Sequence, residues 1–314
     1  MPPEIICVVG PTASGKTKMG VALAKQLGGE VVSVDSMQIY RGMTIGTAAP
    51  TVEEMEGVPH HMIAVADPAE SWSVARFTQE ADRCVQDILR RGKVPVLVGG
   101  TGLYLDALVR GNSFAEGCAG TEIREALQKR MEAEGAAALL EELRTIDPET
   151  AQRLHLKDEK RILRALEVYT ETGKTISQHN RETQEVPPKY RAAYIGLDFV
   201  DRDDLRRRID LRVDLMVEQG LLQEVEALLA CGIPRTATAL QAIGYKQFLA
   251  VEEGRATVAE AVEEVKLRSR QYAKRQLTWL RRNEAIHWIR WEKVPDFQSA
   301  LQKVTEILTA LGLS

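Results

Sequence analysis

The sequence predicts an α/β fold in which a parallel sheet is interrupted by a helical insertion. Three observations carry that expectation. Short apolar runs at Ile5 to Val9, Glu30 to Val34 and Val94 to Val98 each end at a glycine or an acid. Helix-like stretches alternate with them, near 16–27 and 73–91. From about Thr121 the texture changes to Glu, Ala, Leu, Lys and Arg, with no convincing strand before about Ala193.

Each run is the length of a buried strand and too short for a core helix. Strands alternating with helices of this length indicate β/α units with helices on both faces. Asp147-Pro148 breaks the helical stretch and Pro187-Pro188 closes it. Ala193 to Leu197 then reads as the chain re-entering the sheet. The expected organisation is a core of 1–114 and 193–314, mainly helical after Arg202, around an insertion of 115–192.

Composition narrows the setting. The 314 residues carry a formal charge of -4, so a nucleic-acid partner would need a local basic patch. Cys7, Cys84, Cys118 and Cys231 form no C-x-x-C pair, which disfavours a disulfide framework or a cysteine zinc site and favours core thiols. The apolar run near the N-terminus is too short for a signal peptide. No apolar stretch approaches the roughly 18 residues that span a bilayer. A cytoplasmic chain with no membrane contact is expected, acting as a monomer.

Gly10-Pro11-Thr12-Ala13-Ser14-Gly15-Lys16-Thr17 matches G-x-x-x-x-G-K-[ST] between a strand and a helix. Glycines let the backbone wrap so that amide N–H groups point inward. The helix beginning near Lys16 adds the positive end of its dipole. Lys16 supplies a charge for a di- or triphosphate, and the Thr17 hydroxyl suits Mg2+. The core is therefore expected to be P-loop NTPase-like. Asp35, at the carboxyl end of the second strand, reads equally as metal ligand, cap or general base. A second glycine loop, Val98-Gly99-Gly100-Thr101-Gly102, could bring amides and a hydroxyl to the same crevice.

These residues resemble the tRNA dimethylallyltransferases, also called tRNA isopentenyltransferases. The matching stretches are GPTASGKT at 10–17, DSMQIY at 35–40, GTAAP at 46–50 and VGGTGLYL at 98–105. KRILRALEV at 160–168, AIGYK at 242–246 and QYAKRQLTWLR at 271–281 follow in order. The resemblance implies transfer of a dimethylallyl group from its diphosphate to the exocyclic amine of the adenosine 3′ of the anticodon. It also implies that Gly10 and Thr12 to Thr17 hold diphosphate rather than ATP, with Arg208 a further contact. Asp35 would take the amine proton, and Thr101 would steady the departing oxygen. Contacts to tRNA are implied at Asp35, Ser36, Met37, Gln38 and Thr101. Others are implied at Arg124, Lys160, Arg161, Ile162, Leu163 and Arg164, and at Gln241, Ala242, Ile243, Gly244, Tyr245 and Lys246.

From Lys266 to Arg290 eight basic residues face one acid, Glu284. Arg268, Arg275 and Arg282 recur every seven residues, which on a helix aligns them along one face. Tyr272 and Trp279 share that spacing and would stack on an RNA loop, with Arg275 and Arg282 on phosphate. The competing reading is a solvated face with core aromatics. Arg202 to Arg212 holds five arginines and three aspartates, so pairing with Asp204 and Asp210 competes with ligand binding. His60 and His61 have no third ligand at metal spacing. An adenylate isopentenyltransferase, a P-loop nucleotide kinase and an RNA-binding NTPase are the alternative functions.

Overall fold

A computed structural model of the chain describes residues 3–111 and 121–313. Among them six strands form one sheet: β1 Ile5–Val9, β2 Glu30–Val34, β3 His60–His61, β4 Pro95–Gly99, β5 Ala192–Phe199 and β6 Ile286–Trp291. Their order in space is β3-β2-β4-β1-β5-β6, and every neighbouring pair is parallel. All five residues of β1 and of β2 are buried, as strands covered on both faces require.

The two faces divide with the period of the strand. Ile5, Cys7 and Val9 join one apolar core, while Ile6 and Val8 join the other. The Val74–Arg90 helix covers the first with Phe77, Ala81, Val85 and Ile88. Met19, Val21, Leu23 and Ala24 of the Lys16–Gln26 helix cover the second, beside Ala300, Val304 and Leu308 of the Phe297–Ala310 helix. The parallel α/β core expected from the sequence is therefore present. Neither β3 nor β6 was foreseen. β6 adds one strand to a C-terminal part that is otherwise mainly helical: it pairs with β5 and buries Ile286, Ile289 and Trp291.

Position in the sheet is what matters for function. β4 lies between β1 and β2, with Val9 and Val34 both opposite Gly99. The loops that follow these strands therefore leave one edge side by side, the edge where parallel sheets bind ligands. At the opposite end of β2, buried Glu30 accepts from Arg91, from Lys93 at 2.8 Å and from His61 at 2.8 Å. The Arg91 guanidinium holds its carboxyl well below the usual range. His61 thus has a structural partner, and His60 Nδ1 lies 2.8 Å from the Val58 carbonyl.

The chain divides into two compact units, Met1–Val109 with Tyr190–Ser314, and Arg110–Lys189. The boundary expected at 114–115 lies outside the described residues, as does Cys118. The second unit is helical. Its Thr121–Ile146 helix breaks at Gly135, whose φ of 81° leaves the helical region. Leu139, Leu143, Ile162 and Leu166 centre its core. Buried Asp147 caps Thr150 N at 3.1 Å and takes the Ser177 amide at 3.1 Å, tying two helices together. Of the remaining cysteines Cys7 is buried, Cys84 half-buried and Cys231 exposed, which corrects the reading of all as core thiols. Among the described residues no helix is long and apolar enough to cross a membrane.

Candidate active site

The loop after β1 bends into a cradle. Gly15, at φ 92°, caps the Lys16–Gln26 helix in a left-handed conformation that glycine adopts at low cost. Ser14 is fully buried, and its Oγ takes no hydrogen bond from the described residues. Lys16 Nζ donates to the Pro11 carbonyl at 2.6 Å, folding back over the loop. Burial pushes the Lys16 ammonium down to about 7, with the charge of Arg212 adding to the shift and that of Asp35 opposing it.

Beyond β2, Asp35 Oδ1 accepts the Met37 amide at 2.8 Å and the Gln38 amide at 3.3 Å. Its Oδ2 takes no hydrogen bond from the described residues and remains available to a ligand. Gln38 is braced in turn: its Oε1 accepts from Ser33 Oγ at 2.8 Å, and its Nε2 donates to the Thr47 and Ala48 carbonyls at 3.3 and 3.2 Å. Beyond β4, the Thr101 hydroxyl is buried without a well-formed hydrogen bond, beside the Tyr272 phenol. Burial raises the phenols of Tyr104 and Tyr272 to about 12, with the Asp35 charge contributing. Both phenols stay protonated at neutral pH.

Residues far along the chain complete the cradle. The Val258–Leu280 helix brings buried Gln276 to the loop, where its Oε1 accepts the Thr12 amide at 2.9 Å. Gly100 makes that approach possible, since a Cβ there would lie 2.2 Å from Gln276 Nε2. Trp291 Nε1 donates to the Ser14 carbonyl at 2.9 Å, and the Phe297 ring lies against Gly15. From the Arg202–Glu218 helix, Arg208 Nε donates to the Ala13 carbonyl at 3.2 Å and Arg212 Nη1 to Thr12 Oγ1 at 3.4 Å. The aspartates that compete for these arginines are taken elsewhere: Asp203 by Arg206, Asp204 by Arg207, and Asp210 by Arg270. Of the sequence-derived residues, Gly10, Thr12 to Thr17, Asp35, Thr101 and Arg208 thus meet at one edge. Gln276, Trp291 and Arg212 were missed. Only the i, i+4 spacing of Arg208 and Arg212 hinted at the last.

Comparison with known proteins gives the family. The IPP transferase family matches residues 38–283, and the Isopentenyl transferase family matches residues 3–66. The tRNA dimethylallyltransferase of Acetivibrio thermocellus is 41% identical over 99% of this chain and 99% of its own. That of Geobacillus thermodenitrificans is 45% identical over 98% of this chain and 96% of its own. The chain belongs to the tRNA dimethylallyltransferase family. A solved tRNA isopentenylpyrophosphate transferase from Bacillus halodurans superposes with a TM-score of 0.73 at 40% identity, covering 99% of this chain and 98% of that one. A eukaryotic dimethylallyltransferase solved acting on tRNA gives 0.80 at 29% identity, over 98% of this chain and 79% of that one.

For a tRNA dimethylallyltransferase the remaining question is the RNA face, and here the sequence reading needs correction. Arg268 pairs with Glu264 at 2.6 Å, Lys266 with Asp214 at 2.7 Å, Arg270 with Asp210 at 2.5 Å and Arg281 with Asp198 at 3.5 Å. Acids outside the 266–290 stretch, two on the Arg202–Glu218 helix, one on β5 and one a turn earlier on the same helix, neutralise half the cluster. Arg282 lies beyond the helix end, so the seven-residue stripe is not one helical face. Lys274, Arg275, Arg282 and Arg290 are exposed and have no ion pair among the described residues. The expected stacking aromatics are held inward: Trp279 Nε1 donates to Asp106 Oδ2 at 2.7 Å, and Tyr272 faces Thr101.

Other expected contacts divide by burial. Gln241 and Lys246 are exposed beside Arg235, Thr236 and Arg255 in one groove. Tyr245 is fully buried, Ala242 and Gly244 are buried, and Ile243 is half-buried against the core. In the helical unit Arg124, Lys160 and Arg161 are exposed, while Ile162 is fully buried and Leu163 packs on that unit's core. Arg164 is held by Glu167 at 2.9 Å. Ser36 and Met37 are half-buried at the mouth of the Asp35 loop.

Proposed function

We propose that the chain transfers the dimethylallyl group of dimethylallyl diphosphate to N6 of the adenosine 3′ of the anticodon in tRNA, releasing diphosphate. One observation carries the reading: a carboxylate oxygen left open on Asp35 shares a sheet edge with a cationic glycine cradle and the buried Thr101 hydroxyl. A P-loop alone would serve a kinase equally; a free carboxylate beside it suits an acceptor that must lose a proton.

The exocyclic amine of adenine is a weak nucleophile because its lone pair is delocalised into the ring. Asp35 accepts an N6 proton as the N6–C1 bond forms and the C1–O bond to diphosphate breaks, a contribution of about 10²–10⁴-fold. Negative charge grows on the leaving diphosphate, where Lys16, Arg208, Arg212 and the loop amides meet it. Thr101 donates to the bridging oxygen as it departs. Holding amine and allylic carbon together supplies much of the remaining acceleration.

The donor chemistry fits Mg2+. Among the described residues no cluster of three or more acidic, histidine or cysteine side chains is built for a metal. Thr17 and diphosphate oxygens would hold the ion, as Mg2+ sites on phosphates commonly do. When bound it supplies charge neutralisation on the leaving group.

An anticodon-loop base is unpaired and comparatively easy to extrude into such a site. Lys274, Arg275, Arg282 and Arg290 would hold the surrounding phosphates, and Arg124, Lys160 and Arg161 of the helical unit would add to them. Mass analysis of tRNA nucleosides after incubation with the protein, Mg2+ and dimethylallyl diphosphate tests the reading. N6-dimethylallyladenosine 3′ of the anticodon is expected. Prenylation of free AMP with none of tRNA, or turnover of ATP instead, would overturn it.

A further inference from the structure

We infer that Glu224 and Tyr245, outside the cradle itself, are positioning residues that set the geometry of Asp35 and Arg212 through the 44–48 loop. The inference rests on the prenyl-transfer reading and concerns how this chain holds its own base.

Glu224 stands in the first turn of the Leu221–Ala230 helix. Its Oε2 accepts the amides of Thr44 and Ile45 at 2.8 Å each and the Thr44 hydroxyl at 3.1 Å. Its Oε1 accepts the Gly46 amide at 3.0 Å together with the Tyr245 hydroxyl. Three successive backbone N–H groups on one carboxylate form an anion-binding nest whose occupant is part of the protein. Tyr245 closes the arrangement from below. Its ring fills the space that a side chain at Gly46 would need, 2.5 Å from the Cβ position.

The loop pinned this way has two carbonyls that matter. Thr47 and Ala48 receive Gln38 Nε2, and Gln38 gives its own amide to Asp35 Oδ1 at 3.3 Å. Ala48 also receives Arg212 Nη2 at 3.4 Å, and the same guanidinium reaches Thr12 of the cradle. One carboxylate therefore fixes a strand of backbone from which both the base and an anion-binding arginine are hung. A glutamine at 224 has a single acceptor oxygen for five donors, and its NH2 would oppose the loop amides.

The test is steady-state and single-turnover transfer with wild type, Glu224→Gln, Tyr245→Phe and Gln38→Ala, well below each melting temperature. Glu224→Gln is expected to lower kcat about 10- to 100-fold and Tyr245→Phe about 2- to 10-fold, with tRNA affinity unchanged. In the Glu224→Gln, Gln38→Ala double variant the losses should overlap rather than multiply. If Glu224→Gln does not fold, Tyr245→Phe with Gln38→Ala completes the same cycle. A melting temperature that drops while kcat holds, or losses that multiply, would reduce Glu224 to a structural brace and overturn the inference. A wild-type chain that transfers nothing would instead remove the functional reading on which it stands.

Discussion

The inner and outer faces of the Val258–Leu280 helix carry different residues in different surroundings. Inward, Gln276, Tyr272 and Trp279 are buried or half-buried, the first two against the two glycine loops and Trp279 bonded to Asp106 of the Gly102–Arg110 helix. Outward, Lys274 and Arg275 stand in solvent with no ion pair among the described residues. The inner face needs position to a fraction of an ångström, because the developing charge of a transition state rewards preorganised donors. If the outer face meets tRNA phosphates it needs only charge density, because phosphate attraction is long-ranged and tolerant of geometry. Chemistry and RNA affinity should therefore be separable by substitution.

The sharpest way to break that separation is at the base. Asp35→Asn should lower the single-turnover transfer rate by about 10²–10⁴-fold with tRNA affinity near wild type. Rapid-quench assays beside filter binding decide it, and an unchanged rate would remove Asp35 from its role. Next comes Gln276→Ala, which leaves the Thr12 amide unpaired beside the anion site. A loss of about 5- to 100-fold in kcat/KM for dimethylallyl diphosphate is expected, with the salt dependence of tRNA binding unaltered.

A pH series sharpens the comparison further. Lys16, held near 7 by burial and by Arg212, is charged below that value and must take up a proton to meet diphosphate above it. Diphosphate affinity should fall as pH rises through about 7, by at most tenfold per unit. Calorimetry in buffers of different ionisation enthalpy should show proton uptake at pH 8 that Lys16→Arg abolishes. The smallest effect belongs to the outer face. Arg275→Ala should weaken tRNA binding modestly and reduce the salt slope by about one, leaving the rate at saturating tRNA unchanged. An unaltered slope would mean that this arginine meets no phosphate.

What the sequence revealed followed distance along the chain. The cradle from Gly10 to Thr17 and the strand ending at Asp35 are contiguous, so their residue types and spacing announce them. Thr12 and Gln276 are 264 residues apart, and only the fold brings them together. The same holds for Asp210 and Asp214, which neutralise basic residues read as free. In Ile286–Trp291 the basic tally around Arg290 hid a strand that buries Ile286 on one face of the sheet and Ile289 and Trp291 on the other. Tyr245 lies in a stretch whose family resemblance suggested RNA contact, and its burial against Glu224 could not be read from spacing.

The bond from Trp291 to the Ser14 carbonyl spans 277 residues, so the loop after β1 is completed only once Trp291 has been synthesised. A nascent chain has the glycines of that loop long before it has Gln276, Trp291 and Phe297. Termination before residue 276 would leave Gly10 to Thr17 in place but remove the side chains that hold the Thr12 amide and the Ser14 carbonyl. A shortened copy would thus carry the loop's sequence without the partners that brace it.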